Sequence, residues 1–141
     1  MKIAIVSSSF RKEVVENLEK NCLDILKNRG LKSSQIDIFK VPGSWEIPLV
    51  VKKLAKKASY DAIITFGAIV KGKTYHFEQI ANECARSLME ISLQYEIPVI
   101  FEVLAVYNLQ DAIDRATKKV ENKGAEAALT ALEMIKITKK L

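Results

Sequence analysis

A chain of 141 residues, 49% hydrophobic and 28% charged, has the length of one domain and enough apolar side chains for a core, which excludes a disordered polypeptide. Its apolar runs are of strand length, which argues against a membrane span. The formal charge of +5 comes from lysines scattered over helix faces and the C-terminal end, with no basic stretch interleaved with aromatics, so it reads as solvated surface and not as a nucleic-acid footprint.

In chain order, Met1-Lys2-Ile3-Ala4-Ile5-Val6 puts one cation ahead of an apolar run that reaches Ser7 too soon for a secretory signal and suits a first strand over 3–7. A helical pattern over 11–29 follows, ended by Gly30, with Leu18, Cys22 and Ile25 on one stripe. A strand over 35–41, a helix over 45–57 and a strand over 61–70 come next. The helix predicted over 75–95 carries Phe77, Ile80, Cys84, Leu88 and Ile91 on one face, and the fourth strand opens at Pro98 and runs to Val106. Two further helices are expected over 108–120 and 123–138, the second with Asn122 as N-cap and Leu129, Leu132 and Ile135 on one face.

The alternation predicts a four-stranded parallel sheet in a three-layer α/β/α arrangement of the flavodoxin-like type, one domain over 1–141. Both cysteines sit on core stripes without C-x-x-C spacing, which points to a reducing cytoplasm and against disulfides or a zinc site.

In such folds ligands bind beyond the carboxyl ends of the strands, so segments 7–11, 41–46, 67–77 and the region after Phe101 carry the functional expectations. Gly67-Ala68-Ile69-Val70-Lys71-Gly72-Lys73-Thr74 fits the phosphate-loop pattern G-x-x-x-x-G-K-[ST]. However, Ile69 and Val70 are β-branched and suit a continuing strand better than a cradle of amides, and the fourth strand ends without an aspartate for Mg²⁺. Anion binding survives this objection: Gly72 permits close backbone approach, and Thr74 is expected to cap a helix whose free amides attract negative charge. His76, the one histidine, falls in the first turn of that helix, where a neutral imidazole can take and return a proton near pH 7.

Three motifs stand in this order: Val41-Pro42-Gly43-Ser44-Trp45-Glu46-Ile47-Pro48, Gly67 through Phe77, and Asn122-Lys123-Gly124-Ala125-Glu126-Ala127-Ala128. Together they resemble the 6,7-dimethyl-8-ribityllumazine synthases over about 3–135. The resemblance implies condensation of 5-amino-6-(D-ribitylamino)uracil with 3,4-dihydroxy-2-butanone 4-phosphate, with no metal or redox cofactor. It further implies self-association into rings of five, with riboflavin synthase as a partner that takes the product. The short stretch from Arg115 to Asn122 resembles members whose rings assemble into hollow sixty-subunit shells.

Carried over residue by residue, the resemblance makes Phe10 a platform stacked on the pyrimidine. Ser44, Trp45 and Glu46 would hold the ribityl chain and ring edge, and Ser44 is also expected as an N-cap. Ala68, Ile69 and Val70 would offer backbone polar groups to the pyrimidine, Lys73 and Thr74 would meet the phosphate, and His76 would move protons. Phe101 would pack on the heterocycle from a neighbouring subunit, Arg115 would grip the phosphate with its fork, and Lys123 would lie nearby, paired with Glu126.

Some positions depart from the family pattern: Arg11 where Asn is usual, Lys73 where a small residue is usual, and Glu102 in place of the Gly that commonly follows Phe101. Leu104-Ala105-Val106-Tyr107 lacks the expected Thr-rich turn. The nearest rival reading is an archaeal-type riboflavin synthase, disfavoured by His76-Phe77 and Asn122-Lys123-Gly124. A signalling receiver domain would need a carboxylate after the first strand, where Ser7-Ser8-Ser9-Phe10 has none.

Overall fold

The computed structural model describes residues 1–141. Four strands, β1 (Ile3–Ser8), β2 (Ile36–Val41), β3 (Ala62–Val70) and β4 (Val99–Val106), form one sheet in the order β2-β1-β3-β4, every pair parallel. The two inner strands are apolar almost throughout because they are covered on both faces, and every residue of β1 is buried. Side chains alternate between the faces. Ala62, Ile64, Phe66 and Ala68 of β3 join the larger core cluster, and Ile63 and Ile69 join the other.

The larger cluster lies under α1 (Lys12–Asn28), α4 (Leu109–Thr117) and α5 (Lys123–Thr138). The smaller lies under α2 (Ile47–Lys57) and α3 (His76–Tyr95). This three-layer arrangement is the flavodoxin-like fold expected from the sequence. Cys22 and Cys84 both lie in the core, and burial pushes their thiols up to about 12 and about 11, so both stay protonated.

Two expectations about the helices need correction. α4 stops at Thr117, three residues before its predicted end, because the Asn122 side-chain amide donates to the carbonyls of Ala116 (3.0 Å) and Lys118 (2.9 Å). The carbonyl oxygen of the same side chain accepts from the Ala125 amide at 3.1 Å, so Asn122 closes one helix and caps the next. On α5 the buried face is Gly124, Ala127, Ala128, Ala131 and Ile135, and Leu129 is exposed. Spacing of three residues drifts by roughly 60° per step on a helix of 3.6 residues per turn, which carries Leu129 out of line with Ile135. Small residues serve because α5 lies close on α1: a Cβ at Gly124 would collide with the backbone of Leu18.

Candidate functional site

At the end of β1 the chain turns through Ser8, whose Oγ accepts from the Phe10 amide at 3.1 Å. This leaves the Phe10 ring 63% exposed and outside either core cluster. The next residue, Arg11, has left-handed dihedrals (φ 57°, ψ 53°) and starts α1 with no side-chain cap. The Ser9 amide donates to the Val41 carbonyl at 2.7 Å, which ties this turn to the end of β2.

Beyond β2, the segment Ser44–Glu46 is a single 3-10 turn, and α2 begins only at Ile47 with Pro48 in its first turn. The cap position of this turn is extended Gly43, so Ser44 does not act as the expected N-cap. The Ser44 hydroxyl instead sits against β3: a Cβ on Gly67 would lie 2.5 Å from it. The Ser44 carbonyl accepts from the Cys84 thiol at 3.2 Å, which joins the turn to α3. Trp45 is held on this turn with its ring 57% exposed.

β3 runs unbroken through Val70, and the Lys71 amide donates to the Val106 carbonyl at 2.9 Å. Ile69 and Val70 are therefore ladder residues, paired with Ala105 and Val106, and no phosphate cradle forms there. α3 starts at His76. Its cap position is Tyr75, with helical dihedrals and no side-chain bond, and not Thr74 as expected. The first amides of α3 thus lack both intrahelical and side-chain partners.

These three loops enclose a cavity of about 310 Å³. Phe10 and Arg11 line it from the first turn, Gly43 to Glu46 from the second, and Ala68, Ile69, Val70, Gly72, Thr74, His76, Phe77 and Ile80 from the third strand and helix. All of the expected residues from Phe10 to His76 meet here except Lys73, which is exposed and off the wall. Apolar walls, one histidine, one carboxylate, the Arg11 guanidinium and several backbone groups suit a flat ring with a polar edge.

Arg115, Lys123 and Glu126 lie elsewhere, on a groove of about 480 Å³ between α4 and α5. Arg115 Nη1 donates to the Asp111 carbonyl of its own helix at 3.1 Å and forms no ion pair. Lys123 Nζ donates to Glu126 Oε2 at 2.7 Å, the ion pair expected from the sequence, and that bond raises the Lys123 ammonium above its ordinary value. Glu102 projects from β4 toward the same pair. Burial pushes its carboxyl up to about 7, Lys123 opposes the rise and Glu126 adds to it. Phe101 points to the opposite face of β4 and is 45% exposed in a hollow of about 320 Å³ shared with Ser92 and Met134. Phe101, Arg115, Lys123 and Glu126 are thus not brought to the cavity within one chain.

Tyr107 has a structural account that its sequence context did not suggest. It follows β4, its ring lies 6.0 Å from Phe77, and Lys71 Nζ sits 5.6 Å over its face. Lys71 also pairs with Glu78 at 3.4 Å, so an exposed aromatic and an ion pair brace the start of α3 behind His76. Ile80 and Phe77, read from the sequence as core stripe only, are half-buried and form the cavity's inner wall.

The 6,7-dimethyl-8-ribityllumazine synthase family model matches residues 1–139, all but two of the chain. With the parallel sheet and the loops described above, the match shows that this chain belongs to the 6,7-dimethyl-8-ribityllumazine synthases, transferases of riboflavin biosynthesis.

Proposed function

We propose that the cavity at the ends of β1, β2 and β3 binds 5-amino-6-(D-ribitylamino)uracil. The groove between α4 and α5 of a neighbouring copy would bind the phosphate of 3,4-dihydroxy-2-butanone 4-phosphate. The observation that carries this reading is the meeting of His76 with Phe10, Trp45, Glu46 and the end of β3 around one cavity. Phe10 supplies an exposed face for the pyrimidine ring, and the amides of the Ser44–Glu46 turn with the Glu46 carboxylate face the ribityl hydroxyls.

The 5-amino nitrogen attacks the ketone carbon, the carbinolamine loses water to give an imine, phosphate is eliminated to leave an enol that tautomerises to a ketone, and the ribityl-bearing nitrogen attacks that ketone and closes the second ring with loss of a second water. His76 accepts the proton that the attacking amine sheds and returns one to the departing hydroxyl. Thr74 and Lys73 at the mouth and Arg115 from the neighbour hold the phosphate, with the guanidinium fork matching two of its oxygens. Phe101 of the neighbour closes over the heterocycle. Lys123, oriented by Glu126, contributes charge beside it. Positioning and one proton shuttle suffice for a condensation whose reactants are already nucleophile and electrophile.

Head-to-tail contacts that repeat this pairing generate closed rings, five chains in the reading favoured here, and such rings can assemble into a hollow shell. The test of the function is to incubate the purified protein with both substrates, without metal or nucleotide, and to follow lumazine absorbance and phosphate release. Stoichiometric release of both supports the reading. ATP hydrolysis without lumazine would overturn it.

A further inference from the structure

The exposed aromatic behind His76 has no part in the reaction as proposed and lies outside the core. Tyr107 follows β4 and is 76% exposed, yet its ring sits 6.0 Å from that of Phe77, tilted by 41°. Lys71 Nζ lies 5.6 Å from the centre of the Tyr107 ring and 3.4 Å from Glu78 Oε1. Neither Tyr107 nor Lys71 lines the cavity. These contacts join the ends of β3 and β4 to Phe77 and Glu78, the two residues that follow His76 in α3. Beneath them the Lys71 amide donates to the Val106 carbonyl at 2.9 Å and keeps the two strand ends together.

The first turn of α3 lacks a local device that would hold it. His76 is the first residue of the helix, the cap position Tyr75 makes no side-chain bond, and helix ends without caps fray. A proton relay works only within hydrogen-bond reach of the reacting atoms, and a displacement of about 1 Å costs on the order of 10²-fold. Each contact of Tyr107 and Lys71 is weak in water taken singly. Acting together on Phe77 and Glu78, they tie the turn to two strands of the sheet. We propose that Tyr107 is a positioning residue which, with Lys71, fixes the first turn of α3 so that His76 stays aligned on the substrate in the cavity. This rests on the reading of His76 as the proton relay.

Wild type, Tyr107→Ala, Tyr107→Phe and Lys71→Gln are compared for kcat and for both KM values, and Tyr107→Ala is repeated in the His76→Ala background. Tyr107→Ala should lower kcat by roughly 5- to 50-fold and leave each KM within about twofold of wild type. The split is expected because the Phe10 and Trp45 turns are held by the Ser9–Val41 and Ser44–Cys84 bonds, without Tyr107. Tyr107→Phe keeps the ring and should stay within about twofold of wild type in kcat. Lys71→Gln removes the cation from the ring and from Glu78, should lower kcat by roughly two- to fivefold, and carries the test should Tyr107→Ala not fold. In the His76→Ala background the Tyr107→Ala change should cost less than about twofold, since a residue that acts through His76 has nothing left to position.

Equal losses from Tyr107→Ala with and without His76 would overturn the proposal while the relay stands. So would a loss confined to either KM, or one that tracks dissociation of the assembly in size-exclusion chromatography, which would make Tyr107 a contact between copies. Full turnover in His76→Ala would instead remove the relay, and the proposal with it.

Discussion

The cavity beyond β1, β2 and β3 and the groove between α4 and α5 differ in nearly every physical respect. Apolar side chains and strand backbone wall the cavity, and its loops are locked to one another by the Ser9–Val41 and Ser44–Cys84 bonds. The groove is lined by charge, with Val120 its sole hydrophobic residue, and its floor belongs to helices on the other face of the sheet. One region suits a stacked heterocycle; the other sets Arg115, Lys118 and Lys123 among the carboxylates of Asp111, Asp114, Glu121 and Glu126. Neither shares a residue with the other. On the function proposed above, a second copy of the chain would bring the two regions together.

The sharpest way to break this comparison is to remove the chemistry from the cavity alone. His76→Ala should lower turnover by roughly 10- to 10⁴-fold with the fold intact, since His76 is exposed on the first turn of α3 and supports no core contact. Unaltered turnover in a folded variant would remove His76 from the proton relay.

The next test sets the two regions against each other. His76→Ala and Arg115→Ala chains, unfolded together and reassembled, should complement if cavity and groove come from different copies. Random equal mixing gives each site an intact His76 and an intact neighbouring Arg115 with probability one-half each, so roughly a quarter of wild-type activity should return. Mixed assemblies verified by a tagged pull-down, with no gain over either variant alone, would mean that each site is built within one chain.

Arg115→Lys sharpens the groove's side of the contrast. Arg115 has no carboxylate partner to lose, only a bond to its own helix, so the effect should fall on ligand. Binding of the butanone phosphate should weaken by about 1–3 kcal/mol while the pyrimidine is little affected, because lysine keeps the charge and loses the fork. Matching losses for both substrates would indicate a damaged fold.

Much of the cavity was legible in the sequence because its parts are local. Each segment from 7 to 77 follows a strand whose apolar run marks its own end, and the β-branched pair Ile69-Val70 told strand from phosphate loop. Less legible were features decided by distant neighbours. Ser44 looks like a cap, yet its hydroxyl is pressed against Gly67 across the sheet. Leu129 fits an apolar pattern, yet the close approach of α5 to α1 selects alanines for the buried face. Tyr107 has meaning only beside Phe77 and Lys71, which lie on other elements. The distance between Arg115 and His76 has no local signature at all.

The smallest effect expected is at Glu102, the residue that carries charge between β4 and the groove. Its place opposite Phe66 in the ladder turns the carboxyl toward α5, where Lys123 is already engaged by Glu126 at 2.7 Å. Burial therefore dominates and the carboxyl rises from its ordinary 4.5 to about 7, with Glu126 adding to the rise against the pull of Lys123. A folded-state value above the unfolded one means that folding favours the protonated acid. Its contribution to stability is full below pH 4.5 and is lost as pH climbs through about 7. Glu102→Gln, a neutral isostere, should match wild type near pH 4.5 and exceed it at pH 8 by about 1–2 kcal/mol, a figure reduced for water reaching part of the carboxylate. The ionised form also places a negative charge beside Lys123 and Glu126, next to the groove proposed to take the phosphate. The KM for the butanone phosphate should accordingly rise by about two- to fivefold between pH 6 and 8 in wild type relative to Glu102→Gln. Thermal unfolding and initial rates over that range check both expectations. A stability gap that stays constant with pH would mean that Glu102 is ionised throughout, and that Lys123 divides its charge between two carboxylates instead of serving Glu126 alone.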